Sequence, residues 1–158
     1  MAVADWSSLL PLVARALGAF LLALPVAWDR ERSTRIMGLR TFPLVAVASF
    51  AYVTVGVEVV GPDASDAEAR LIQGLMTGMG FIGGGAILKR EGHVEGTATA
   101  SSLWATGAMG AAVAFRRYDV AVVVSLLTFL VLRLMTPLEE RLAPDDGSGT
   151  DAGDEGES

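Results

Sequence analysis

The stretch Leu71-Ile-Gln-Gly-Leu-Met-Thr-Gly-Met-Gly-Phe-Ile-Gly-Gly-Gly-Ala-Ile-Leu88 has no charge in 18 residues and contains six glycines. A bilayer core of about 30 Å takes about 20 apolar residues as a helix, so the stretch reads as a membrane span. At about 100° per residue, Gln73, Thr77, Gly80 and Gly84 fall within about 60° of one another as one small, polar stripe. Gly74, Gly78 and Gly85 form a second smooth stripe, and Leu71, Leu75, Met79 and Ile82 supply the bulk. Helices in lipid associate through close backbone approach and interhelical hydrogen bonds. Two glycine seams therefore predict neighbours on two sides, with Gly74, Gly78, Gly80 and Gly84 as packing glycines and this span at the centre of the bundle. The alternative use of Gly83-Gly84-Gly85 is local unwinding that exposes backbone groups to an ion, as in the broken helices of transporters.

Four more apolar runs flank it, giving spans of about 9–28, 42–60, 71–88, 97–115 and 120–135. The chain of 158 residues is 52% hydrophobic and 19% charged, with a mean hydropathy of +0.48. The expected fold is therefore all-α: a polytopic membrane protein with five transmembrane helices in one bundle over residues 1–138. Loops between the spans are too short for a second folded domain. Residues 139–158 hold eight acids and one base, whereas the whole chain is at −6, so the body is nearly neutral and the tail reads as acidic, disordered and cytoplasmic. Basic residues gather in the first loop (Arg30, Arg32, Arg35, Arg40), the third (Lys89, Arg90) and at the end of the last span (Arg133, Arg141). Basic loops stay in the cytoplasm, which predicts an outside N-terminus and an inside C-terminus. Met1–Ser8 has Asp5 and no base, so the first span is expected to be retained and not cleaved as a signal. Arg15, inside that span, is expected to snorkel to the outer interface.

With no cysteine and one histidine, His93, disulfides, thiolate sites and paired imidazoles within one chain are excluded. Basic patches interleaved with aromatics are missing, which argues against nucleic acid. No nucleophile, base and oxyanion arrangement is legible, so the chain is not expected to be an enzyme and no cofactor is expected. In the fourth span Thr99, Ser102, Thr106 and Gly110 repeat the stripe geometry of the third, and the two stripes are predicted to face each other. At the inner mouth Asp29 closes the first span and Arg40 opens the second, so a tight hairpin predicts a bidentate ion pair between them.

Three separated motifs carry a family resemblance. Val26-Ala-Trp-Asp-Arg-Glu31 is followed by Gly38-Leu-Arg-Thr41 with Phe42-Pro-Leu-Val45. Gln73 to Leu88 comes next, and then Val94-Glu-Gly-Thr-Ala-Thr-Ala-Ser-Ser-Leu-Trp104. In this order they resemble the MgtC/SapB membrane proteins, in a short form without the soluble C-terminal domain. The resemblance implies a five-helix protein of the bacterial inner (plasma) membrane linked to magnesium homeostasis. Against the family pattern, Ala27 and Asp29 stand where Gly and Glu are usual, and Ala98 where Asn or Thr is usual. The expected polar cluster is Asp29, Arg40, Thr41, Gln73, Thr77, Thr99 and Ser102. Its function is either regulation of, or docking on, another membrane complex, or transport of Mg2+ or another small solute through a cleft on the cytoplasmic side. Partners in these readings are the lipid bilayer, a second membrane protein or another copy of the chain, and Mg2+.

Overall fold

The computed structural model describes residues 6–34, 37–61, 64–90 and 93–142. Helices occupy the places of all five apolar runs: α1 (Trp6–Ser33), α2 (Thr41–Val60), α3 (Ser65–Ala86), α4 (Thr97–Ala114) and α5 (Tyr118–Leu142). Between α3 and α4 lie β1 (Leu88–Arg90) and β2 (His93–Glu95), paired antiparallel with Leu88 opposite Glu95 and Arg90 opposite His93. This ribbon replaces the plain loop expected there. Helix α5 continues through Leu142, so the first residues assigned to the tail are helical. Residues 143–158 lie outside the described residues. Among the described residues three helices are long and apolar enough to cross a membrane: Ser7–Ser33, Thr41–Val60 and Tyr118–Met135. The glycines and hydroxyls of α3 and α4 keep those two below the same measure.

The central helix is α4, not α3. It packs against each of the other four helices, and nine of its residues are buried against three of α3, namely Met79, Gly83 and Ala86. The cause lies in the side chains: Thr99, Ser102, Thr106, Gly107, Gly110 and Ala112 leave the α4 backbone approachable from several directions. A Cβ at Gly110 would collide with the Ala46 carbonyl oxygen and stand 2.9 Å from the Ser49 Cβ on α2. At Gly107 it would lie 2.8 Å from the Met79 Cγ. At Gly83 it would lie 3.5 Å from the Ala100 carbonyl oxygen, an ordinary van der Waals contact. By contrast, a Cβ at Gly78, Gly80 or Gly84 would meet nothing within 4 Å, and one at Gly74 only the Tyr52 hydroxyl at 3.2 Å. Within one chain, the closest helix packing thus falls to Gly107 and Gly110 of α4 and to Gly56 of α2, where a Cβ would lie 2.7 Å from the Leu71 Cδ1, and Gly74 is the tightest of the four glycines expected.

Arg15 reaches the end of α4 that leads into α5. Its Nη2 donates to the Ala114 carbonyl at 2.6 Å and the Val113 carbonyl at 3.3 Å, and its guanidinium lies 5.2 Å from the centre of the Phe50 ring. The last carbonyls of a helix have no partner in their own ladder, and a cation also suits that end of the dipole. Arg15 therefore caps α4 from α1. Hydrogen bonds to a charged group contribute about 1.5–3 kcal/mol, so Arg15→Met is expected to lower stability by about that much in thermal unfolding of detergent-solubilised protein. Arg15→Lys should recover part of it, since lysine keeps the charge but not the fork. Past the α4 end, Arg116 adopts a positive φ of 58°, and Arg117 donates to both Asp119 oxygens at 3.0 and 2.9 Å. Those hydrogen bonds raise the Arg117 pKa above its ordinary value.

Candidate functional site

Val26 and Ala27 of α1, Phe42 of α2, Ala86 of α3 and Leu103 of α4 share one buried cluster, which gathers four helix ends at one pole of the bundle. The last turns of α1 extend beyond the apolar run and carry Asp29 and Arg30 into this pole, only 6% and 3% exposed. Arg30 Nη2 and Nε donate to the Asp29 Oδ2 at 2.6 and 3.2 Å. Thr34 Oγ1 donates to the Arg30 carbonyl at 3.2 Å.

The predicted partner of Asp29 is elsewhere. Arg40 is exposed at the residue before α2, and its side chain makes no cap there. The hairpin is held instead by Glu31, whose Oε2 accepts from the Leu39 backbone N–H at 2.9 Å. A Cβ at Gly38 would lie 2.9 Å from the Glu31 Cα and would also strike its carboxylate. Only glycine lets the hairpin close that tightly. Thr41, half-buried, donates its backbone N–H to the Gly38 carbonyl at 3.0 Å. The short sequence separation of Asp29 from Arg30 satisfies the acid before the loop begins, which is why the longer-range pair with Arg40 does not form.

The two polar stripes do not face each other. Gln73 and Thr77 are exposed on the side of α3 turned away from the bundle, and Thr77 Oγ1 donates to the Gln73 carbonyl at 2.9 Å. Thr99, Ser102 and Thr106 are buried in α4. Ser102 Oγ donates to the Thr99 carbonyl at 2.9 Å and Thr106 Oγ1 to the Ser102 carbonyl at 2.8 Å. Facing that seam from α2 is Ser49, whose Cβ lies in the approach to Gly110. The side-chain oxygens of Ser49 and Thr99 are buried without a hydrogen-bond partner. Of the expected cluster, the structure brings Asp29, Thr41, Thr99 and Ser102 to the buried pole and its adjoining seam, and leaves Arg40, Gln73 and Thr77 outside.

Sequence reasoning missed Arg30, Glu31 and Ser49 as participants. The signal for Ser49 was present, since it is a small hydroxyl in the middle of the apolar run from Phe42 to Val60. Among the described residues no group of three His, Cys, Asp or Glu side chains could hold a metal ion. What the arrangement offers chemically is a buried ion pair at one pole and hydroxyl oxygens along the α2–α4 contact.

The profile of the MgtC family matches residues 17–141. SrpB of Synechococcus elongatus is 35% identical over 139 residues, covering 81% of this chain and 75% of SrpB. MgtC of Brucella abortus is 33% identical over 137 residues, 87% of this chain and 56% of that protein. A protein of Escherichia coli strain K12 named "Putative magnesium transporter YhiD" is 31% identical over 126 residues, 74% of this chain and 57% of its own length. The chain thus spans little more than half of the last two. No solved structure matches it.

Proposed function

Since this chain belongs to the MgtC family, we propose that it is a five-span protein of the bacterial inner membrane, without enzymatic activity, that serves magnesium homeostasis by docking on another membrane complex. The link to magnesium is carried over from the name of YhiD and from the family. Support for α3 and α4 as spans comes from their hydroxyls. Thr77, Ser101, Ser102 and Thr106 each donate to a carbonyl of the preceding turn, which removes most of the penalty for placing them in lipid. With five spans, the basic residues of the first and third loops favour a cytoplasmic side for those loops and for the C-terminus.

The observation that carries the docking reading is the free face of α3. Gln73, Gly74, Gly78, Gly80, Phe81 and Gly84 are exposed there, and Phe81 is 87% exposed. Lipid offers a glutamine amide no hydrogen bonds, whereas a second helix packed on the glycines does. Gly78→Leu and Gly84→Leu are expected to leave folding of the chain intact within about 0.5 kcal/mol, as surface changes do. Both should abolish complementation of a low-Mg2+ growth defect at normal protein level. Lost folding in both variants, or full complementation, would remove the α3 face from the function.

The unpartnered hydroxyls of Ser49 and Thr99 favour the second reading, transport of Mg2+ or another small solute along the α2–α4 seam. Ion flux into liposomes holding the purified protein alone separates the two, because docking predicts none.

A further inference from the structure

Between α3 and α4 runs an apolar groove of about 300 Å³, walled by Ile72, Met76 and Met79 on one side and Trp104, Ala108 and Phe115 on the other. We propose that it holds one acyl chain of an anionic phospholipid, phosphatidylglycerol, whose phosphate rests on Arg116. The proposal rests on the five-span reading, which puts both walls in the bilayer.

Three features point to this occupant. From Trp104 to Phe115 the groove follows α4 for about 16 Å at 1.5 Å per residue, which matches one leaflet of a hydrocarbon core of about 30 Å. The second is the lining: apart from the Trp104 indole the walls are wholly apolar, as a hydrocarbon chain requires. The third feature is charge. Arg116 directly follows Phe115 at the groove's end, is exposed, and has no side-chain partner among the described residues. The Asp119 carboxylate is taken by Arg117, and the last α4 carbonyls are taken by Arg15, so neither competes for the Arg116 guanidinium.

Trp104, 47% exposed, is the reporter. A chain with Trp6→Phe and Trp28→Phe keeps it as the sole tryptophan, and bromine on a lipid chain quenches its fluorescence on contact. In phosphatidylcholine vesicles, brominated phosphatidylglycerol is expected to quench Trp104 at about a fivefold lower mole fraction than brominated phosphatidylethanolamine, the weight of one basic residue on an anionic lipid. Arg116→Gln should make the two lipids equal, and Ala108→Phe, which fills the groove, should reduce quenching by both. Equal quenching by the two lipids in the parent overturns the site while leaving the spans in place. Absence of quenching by either lipid at any protein density overturns the five-span reading together with the site. Quenching that disappears only as protein density in the vesicles rises means a second copy covers the groove, and overturns the lipid assignment alone.

Discussion

Gly110→Val is expected to destroy the folded state of the detergent-solubilised protein. A Cβ at this position would enter the Ala46 carbonyl oxygen and come within 3.0 Å of the Ala46 carbonyl carbon. Those are backbone atoms of α2, so no side-chain rotation relieves the contact, and the most closely joined pair of helices must separate. Overpacking a core with side chains alone destabilises by about 1–3 kcal/mol, and a collision with backbone should exceed that range. Ala108→Val is the control: Ala108 is exposed on the same helix, and its substitution should stay within about 0.5 kcal/mol. Thermal unfolding and size-exclusion profiles of the two variants decide the matter. A Gly110→Val protein that melts like its parent would refute the α2–α4 contact.

Asp29→Ala should have the next largest effect. It strands Arg30, 3% exposed, with its only ion-pair partner among the described residues gone. Breaking a buried pair from one side destabilises by about 3–5 kcal/mol, whereas replacing both members by apolar residues is often neutral or stabilising. The double variant Asp29→Leu/Arg30→Met should therefore recover most of the lost stability, and the comparison separates two roles for the pair. If the recovered protein also restores growth at low Mg2+, the pair only holds the pole together. If it folds but fails to complement, charge at this position serves the function itself. Arg40→Lys, at an exposed position, should change neither readout.

The five helices were legible because long apolar runs broken by charges have few other uses in a chain of this composition. Their ends were less legible. Helix α1 continues to Ser33 through Asp29 and Arg30, since neighbours in sequence can neutralise each other and remain buried, and a rule that stops helices at charges does not see that. The ribbon at Leu88–Arg90 and His93–Glu95 consists of three-residue strands, too short to show an alternating pattern. The choice of central helix failed for a deeper reason. A glycine says that a backbone can be approached, and nothing about what approaches it. The six glycines of Leu71–Leu88 advertised closeness that, in a single chain, only Gly74 and Gly83 use, beside the Tyr52 hydroxyl and Ala100, while α4 was small on nearly every side and so fitted between four neighbours. For the candidate site, burial was easier to foresee than pairing. Asp29 and the hydroxyls of α4 are buried as a functional cluster would be, but the partner of Asp29 was one residue away instead of across the loop.

The bond from Arg15 to the end of α4 joins residues 98 and 99 positions apart. A ribosome adding about 5–20 residues per second leaves an interval of roughly 5–20 s between the two. Throughout that time the first helix already carries a guanidinium inside its apolar run, with no carbonyl to receive it. Lipid phosphates, water at the interface or the insertion machinery must hold the charge meanwhile. Final seating of α1 is therefore a late event in biosynthesis, gated by the arrival of a helix from the second half of the chain.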